Sequence, residues 1–310
     1  MWAVGGSPSK DTLWSSDNGN VSATMGGCDP AGCPPDHSSA GAVLHTMLAL
    51  FSTGPIGFSD APGWTNASLL ARTCDAHGAL LQPSRPITSV DSTFDATPGA
   101  APQGYVLGTH SSLGGSAVAV AHYVLAHQLS ADFALRALDL WPPLAPGAQY
   151  ATASWDALEG CANASTAAGC GISLLTAPPS PAGQLLVLPR FPAGADAFAP
   201  SLTIVVPRCN ASGAALFGDA AKFATMSAQR FEALSCTSGG LAVTLQGFPE
   251  EAVKLVAMYV TNTGEARTAV ALAAFPVRAT AHASSVSVSC VLEGPSFTCN
   301  GGASGGGLYR

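Results

Sequence analysis

Residues 50–94 read LFSTGPIGFSDAPGWTNASLLARTCDAHGALLQPSRPITSVDSTF, and the rest of the chain is interpreted around them. Residues 51–59 form a short apolar run broken by Thr53, Gly54, Pro55 and Gly57, with helical patterns on both sides. That is the pattern of a buried parallel strand in a β/α unit. Asp60 closes the strand. In a β/α barrel an ionisable residue at the C-terminal end of a strand faces the active-site mouth, so Asp60 is the first substrate-binding candidate. After the turn at 61–63, Asn66 is a good N-cap for a helix carrying Leu69, Leu70 and Thr73, and Gly78 is placed to end it.

Upstream, Ser38 and Ser39 offer an N-cap, and Leu44, Met47, Leu48 and Phe51 recur at helical spacing on one face. Residues 2–5 read as the tail of an earlier strand and 7–20 as polar loop. The order strand, loop, helix, strand, loop, helix predicts an α/β fragment over residues 1–97, the last β/α units of a (β/α)8 barrel. From about residue 98 the texture changes. Short β-branched or alternating runs, separated by Gly and Pro, occur at 105–107, 117–129, 172–175, 185–188, 202–206, 241–245, 253–260, 268–275 and 286–291. Strands at that spacing predict an all-β antiparallel sandwich over 98–291. Gly239-Gly240 reads as a hairpin turn, and the Gly-rich stretch 292–310 as a disordered tail.

Composition narrows the partners. Charged residues make up 10% of the chain, against about a quarter in an average soluble protein. The net charge is −7, and no basic cluster is present. This gives no electrostatic footprint for nucleic acid or for an anionic membrane. The apolar stretches 40–51 and 117–125 are too short, or too interrupted by His45 and His122, to span a bilayer. Four Asn-x-Ser sequons, at Asn20, Asn66, Asn163 and Asn210, accompany nine cysteines. Together they point to a secreted or lumenal, disulfide-permissive setting. Cys28/Cys33, Cys161/Cys170 and Cys290/Cys299 bracket loops that a disulfide can staple, and Cys209 can pair with Cys236 across two strands. Cys74 is left as a buried free thiol in a helical pattern. The first six residues have neither the basic nor the apolar region of a signal peptide. A secretory protein then implies a chain that begins inside a longer one.

The run Ser52-Thr53-Gly54-Pro55-Ile56-Gly57-Phe58-Ser59-Asp60, followed by Gly63 and Asn66, resembles the last barrel strand of the glycoside hydrolases that include alkaline α-galactosidases and raffinose synthases. Residues 75–94, with Gly78, Pro83, Arg85-Pro86 and Asp91, resemble that family's passage out of the barrel. Residues 216–231 resemble a segment of its C-terminal β domain. The resemblance implies a barrel followed by a β-sandwich, and a sugar partner, most simply an α-galactoside. It implies no catalytic residue here. Retaining glycosidases use two carboxylates roughly 5 Å apart, and in this family both come from earlier barrel strands.

At the expected barrel mouth, Asp60 is a candidate for a sugar hydroxyl and Trp64 for a pyranose face. Asp11 and Trp14 join them if residues 2–5 form a barrel strand. Asp60 could instead cap the 61–63 turn as an Asx residue. Asp91 and Asp95 read as structural. His122 and His127, an odd number of positions apart on a strand, face opposite ways and cannot share a metal. The GASGG string at 302–306 lacks the strand and helix that a serine nucleophile needs. No cofactor is expected. Two functions remain open: the C-terminal portion of a secreted glycosidase-like protein, inactive on its own but able to bind α-linked sugars, or a non-catalytic carbohydrate-binding or structural β module of an extracellular glycoprotein.

Overall fold

A computed structural model describes residues 10–16, 39–60, 62–93, 104–114, 119–163, 170–196, 198–261, 264–275 and 286–300. The chain is almost wholly antiparallel β. The largest sheet has six strands in the order β3-β4-β5-β10-β7-β8. These are β3 (Thr88–Ser89), β4 (Tyr105–Ser112), β5 (Val120–His127), β10 (Ser201–Pro207), β7 (Gln149–Ser154) and β8 (Ser173–Thr176). Every neighbouring pair in it is antiparallel. β5 is central and buried along its whole length, which explains its nearly unbroken apolar sequence.

One face of this sheet presents Tyr123, Leu125 and Ile204 to a large core. That core also contains helix α1 (Ser39–Phe51) and helix α3 (Trp155–Asn163). The other face presents Val124, Ala126 and Val205 to a smaller core. A ribbon of β6 (Phe133–Arg136) and β9 (Gln184–Leu188) covers that face through Phe133, Leu135, Leu185 and Leu188. Beyond the large core, β11 (Ala215–Asp219), β14 (Ala252–Val260) and β15 (Ala266–Ala274) form one sheet. A second comprises β12 (Phe231–Cys236), β13 (Gly240–Gly247), β16 (Val286–Glu293) and β17 (Ser296–Asn300). Their apolar faces share the same core, giving a β-sandwich-like arrangement. No helix among the described residues is long and apolar enough to cross a membrane.

The α/β barrel fragment expected over residues 1–97 is not formed among the described residues. The parallel pairing among the described residues is confined to β1 (Lys10–Leu13) and β2 (Ile56–Phe58). One two-stranded pair carries no barrel curvature. Two local causes are visible. Phe51 lies at the end of α1 rather than at the start of a strand, so the following strand has three residues instead of nine. Pro55 holds Gly54 away from helical geometry and places the break there. The helix after Asn66, named α2, spans only Ala67–Leu70. Gly78, at φ +84°, sits in a separate turn where Asp75 accepts hydrogen bonds from the backbone of His77 and Ala79. β1 itself falls in the stretch read as polar loop.

The segment after β2 is fastened to the β domain across long sequence distances. Lys222 Nζ donates to the carbonyls of Ala71 and Cys74 at 2.6 and 2.7 Å. The Ala76 amide donates to Glu251 Oε1 at 3.3 Å. Glu251 also pairs with the buried Arg230 at 2.5 Å. Phe51 stacks on Tyr123 with ring centroids 5.6 Å apart, and the Tyr123 hydroxyl accepts from the Met226 amide. Helix α1 therefore shares the core of the sheets.

Disulfides join Cys161 to Cys170, Cys209 to Cys236, and Cys290 to Cys299. Cys290 and Cys299 are directly opposed on β16 and β17, so β17 lies in the stretch read as disordered tail. Cys28, Cys33 and residues 301–310 lie outside the described residues. Cys74 is a free thiol, but it is half-buried and lies after the short α2 helix, bridging to Leu80.

Candidate functional site

Parallel pairing puts the C-terminal ends of β1 and β2 at one edge, so the segments carrying Trp14 and Asp60 do meet. Both oxygens of Asp60 are engaged there. Oδ1 accepts from the Ser15 amide at 2.8 Å and Oδ2 from the Ser15 hydroxyl at 2.6 Å. Ser15 Oγ in turn accepts from the Asn66 amide at 2.8 Å. Asp60 thus ties β1 to the turn before α2. Trp64 is exposed and Trp14 half-buried, and neither lines either of the two cavities described below. Of Asp11 only the backbone is described.

Two of the four sequons present exposed asparagines. Asn66 is the N-cap of α2, its Oδ1 accepting from the Leu69 amide at 3.1 Å. Asn210 sits in the turn closed by the Gly213 amide on the Cys209 carbonyl. Asn163 ends α3, and Asn20 lies outside the described residues.

A cleft lies elsewhere, on the face of the six-stranded sheet towards the smaller core. It encloses about 350 Å³ and is lined by segments 85–91, 108–110 and 138–141. Its floor is β4 at Gly108. A Cβ built on Gly108 would come within 3.3 Å of Val90 Cγ1 and 3.7 Å of the Asp139 carbonyl, so the missing side chain keeps the floor low. One wall is β3 and the 3-10 turn Asp91–Thr93, held to β4 by the Thr88–Gly108 register and by Thr109 Oγ1 donating to the Arg85 carbonyl at 2.5 Å.

The other wall is the loop after β6. Asp139 braces it from inside, accepting from the amides of Ser92 and Arg136, each at 2.8 Å, and from the Ser92 hydroxyl. Arg136 Nε donates to the same hydroxyl at 2.5 Å. The loop ends on Trp141, which is 66% exposed at the cleft mouth.

Histidines support this wall from beneath. His110 on β4 and His122 on β5 are directly opposed, with ring centroids 6.3 Å apart. His122 hydrogen-bonds the Trp141 backbone. Its Nδ1 has no hydrogen-bond partner among protein atoms. Burial, with His110 as a second cause, pushes His122 down to about 3. It is neutral at any physiological pH. His127, five positions on, stacks on Tyr105 instead, with centroids 4.7 Å apart. His122 and His127 therefore do not converge, as their odd separation requires.

A second cavity of about 250 Å³ lies between α1, α3 and β10. In its lining Arg72 bonds Glu159 at 2.8 Å and lies 4.8 Å over the Trp155 ring, and burial raises the carboxyl of Asp156 beside them.

Sequence reasoning did not select Trp141 or His110. The signal for Trp141 was present in Trp141-Pro142-Pro143, an aromatic on a proline-stiffened loop between two strands. His110 carries no such mark, because its place in the cleft depends on how β4 pairs. No protein-family model matches the chain, and no curated protein matches it.

Proposed function

We propose that this chain is a non-catalytic carbohydrate-binding β module of an extracellular glycosidase-like protein, and that α-linked sugars bind in the Trp141 cleft. The observation that carries the reading is the exposed Trp141 ring at the mouth of a cleft of about 350 Å³. Sugar sites pair an apolar ring face with a few fixed polar groups, and this cleft supplies both: Trp141 for the pyranose face, Arg85, Ser89, Asp91 and His110 for its hydroxyls. The volume suits one or two sugar rings. The resemblance at residues 52–66 supplies the sugar class, α-galactosides. The three disulfides favour an oxidising compartment.

Titration of the folded chain with methyl α-galactoside, followed by calorimetry, tests the reading. Binding is expected to weaken about tenfold in Trp141→Ala, the size of a ~1.4 kcal/mol aromatic contact. In Gly108→Val, whose side chain fills the floor, binding is expected to be lost. Sugar affinity unchanged in both variants would move the site elsewhere, and hydrolysis of an aryl α-galactoside by the purified chain would refute the non-catalytic assignment.

A further inference from the structure

Trp64 is an aromatic side chain that neither cavity uses. It is 41% exposed and stands two positions before Asn66 of the Asn66-Ala67-Ser68 sequon, in a stretch, residues 62–68, that is exposed without a break. The stretch is nonetheless held in place. The Asn66 amide donates to Ser15 Oγ at 2.8 Å, and Ser15 is itself bonded through its amide and hydroxyl to Asp60. Asn66 Oδ1 accepts from the Leu69 amide at 3.1 Å and from the Ser68 hydroxyl at 2.7 Å. The carboxamide is thus oriented through Oδ1, and Nδ2 is the end left to solvent.

We infer that Asn66 carries an N-linked glycan whose first N-acetylglucosamine packs its apolar face on Trp64. The sugar donor is a polyprenyl-diphosphate-linked oligosaccharide of the secretory lumen. Nδ2 attacks C1 of its first sugar, the C1–O bond breaks, the diphosphate leaves with the bonding pair, and Nδ2 gives up one proton. Oδ1 takes no part, so the Asn66 cap on α2 survives the modification.

Side chains two positions apart on an extended backbone project to the same side, and Asn66, at φ −83° and ψ 89°, is non-helical. Ser15 fixes the backbone at Asn66 before any sugar arrives, so stacking on Trp64 costs little further ordering. A pyranose offers the flat apolar face that an indole ring accepts. The other exposed sequon, at Asn210, has no such ring. Arg208 stands two positions before it, with its guanidinium committed to the Gly213 carbonyl and to Gln149, and the Ser212 hydroxyl is tied to the Gly240 carbonyl. The Trp64 surface is separate from the Trp141 cleft, and its cover does not depend on what that cleft binds.

The full chain, exported from a eukaryotic host behind a cleaved signal sequence, tests the inference. Peptide N-glycosidase converts a glycosylated asparagine to aspartate, and mass spectrometry after that treatment is expected to find the conversion at position 66. An endoglycosidase that leaves the first N-acetylglucosamine is expected to keep the melting temperature within about 1 °C of the intact glycoprotein. Peptide N-glycosidase is expected to lower it by about 2 °C, the size of one aromatic contact in a chain of this length. In Trp64→Ala the gap between the two treatments is expected to close, and in Trp64→Phe part of it to return. An unmodified Asn66 in exported, folded chain overturns the inference. So does a modified Asn66 at which the two treatments differ equally, or not at all, in the parent chain and in Trp64→Ala.

Discussion

Asp60 shows how a single side chain can be placed correctly in the sequence and still be assigned the wrong neighbours. Its position at the end of β2 was legible, because the apolar run stops there. Its partner was not. Ser15 lies 45 residues away in a stretch with no apolar pattern, and only strand pairing brings the two together. With both oxygens bonded to Ser15, the carboxylate holds β1 against the turn before α2. Asp60→Ala leaves the Ser15 amide and hydroxyl without acceptors in a half-buried setting, which costs about 1–3 kcal/mol. The variant is expected to show a lower urea midpoint with an unchanged slope, and sugar affinity equal to that of the parent chain. A selective loss of sugar binding at full stability would restore Asp60 as a ligand contact. Trp141 is the converse case. Its surroundings were readable from the prolines after it, but its place at the cleft depends on Gly108 and His110, which lie on β4.

Strands with strict alternation or continuous apolar character were legible from their period. β5, β10, β13, β14 and β15 all lie within or close to the expected ranges. Those missed share a different chemistry. β7, Gln149–Ser154, is built from Ala, Ser and Thr around one Tyr, and it reads as a strand only because β8 and β10 flank it. β11, Ala215–Asp219, is buried at every position, including Asp219, so no alternation marks it. β12, Phe231–Cys236, carries exposed Glu232 and Ala233 side by side where its register shifts against β13. Burial in the assembled core made these strands, with little help from propensity.

The Cys209–Cys236 disulfide secures this weakly specified region. It spans 27 residues and ties the turn after β10 to the end of β12. Replacing both cysteines by serine is expected to cost about 3 kcal/mol, from the loop entropy returned to the unfolded chain. Denaturant titration of the double variant against the oxidised parent measures this. A loss below about 1 kcal/mol would mean that the β12–β13 hairpin is held without the bridge.

Across the molecule, the response to acid is set by opposed buried groups. His110, His122 and His127 are all held below the usual histidine value, chiefly by burial. The unfolded chain protonates them first, and their contribution to stability is lost as pH falls below about 6.5. Asp219 works in the other direction. Burial raises it to about 6, against the pull of Lys222 and Arg230. The folded chain therefore takes up a proton as pH falls through about 6, and that part of stability grows until the unfolded aspartate also protonates near pH 4. Burial raises the Asp156 carboxyl in the same sense, and the three histidines outweigh these two carboxylates. Melting temperature is expected to fall between about pH 7 and about pH 5, and to fall more steeply in Asp219→Asn, which removes the compensating proton. A profile no steeper in that variant would show that Asp219 does not titrate in this range.

The bond between Ala76 and Glu251 spans 175 residues. At about 5–20 residues per second on the ribosome, the helix and strands at the front of the chain emerge roughly 10–35 s before the groups they are fastened to. The apolar face of α1 is covered in two stages, first by β5, where Tyr123 stacks on Phe51, and later by the sheets that carry Leu216 and Val256. The later stage, and the fastening of the segment after β2, thus wait on the emergence of Glu251 and the β14 strand that follows it.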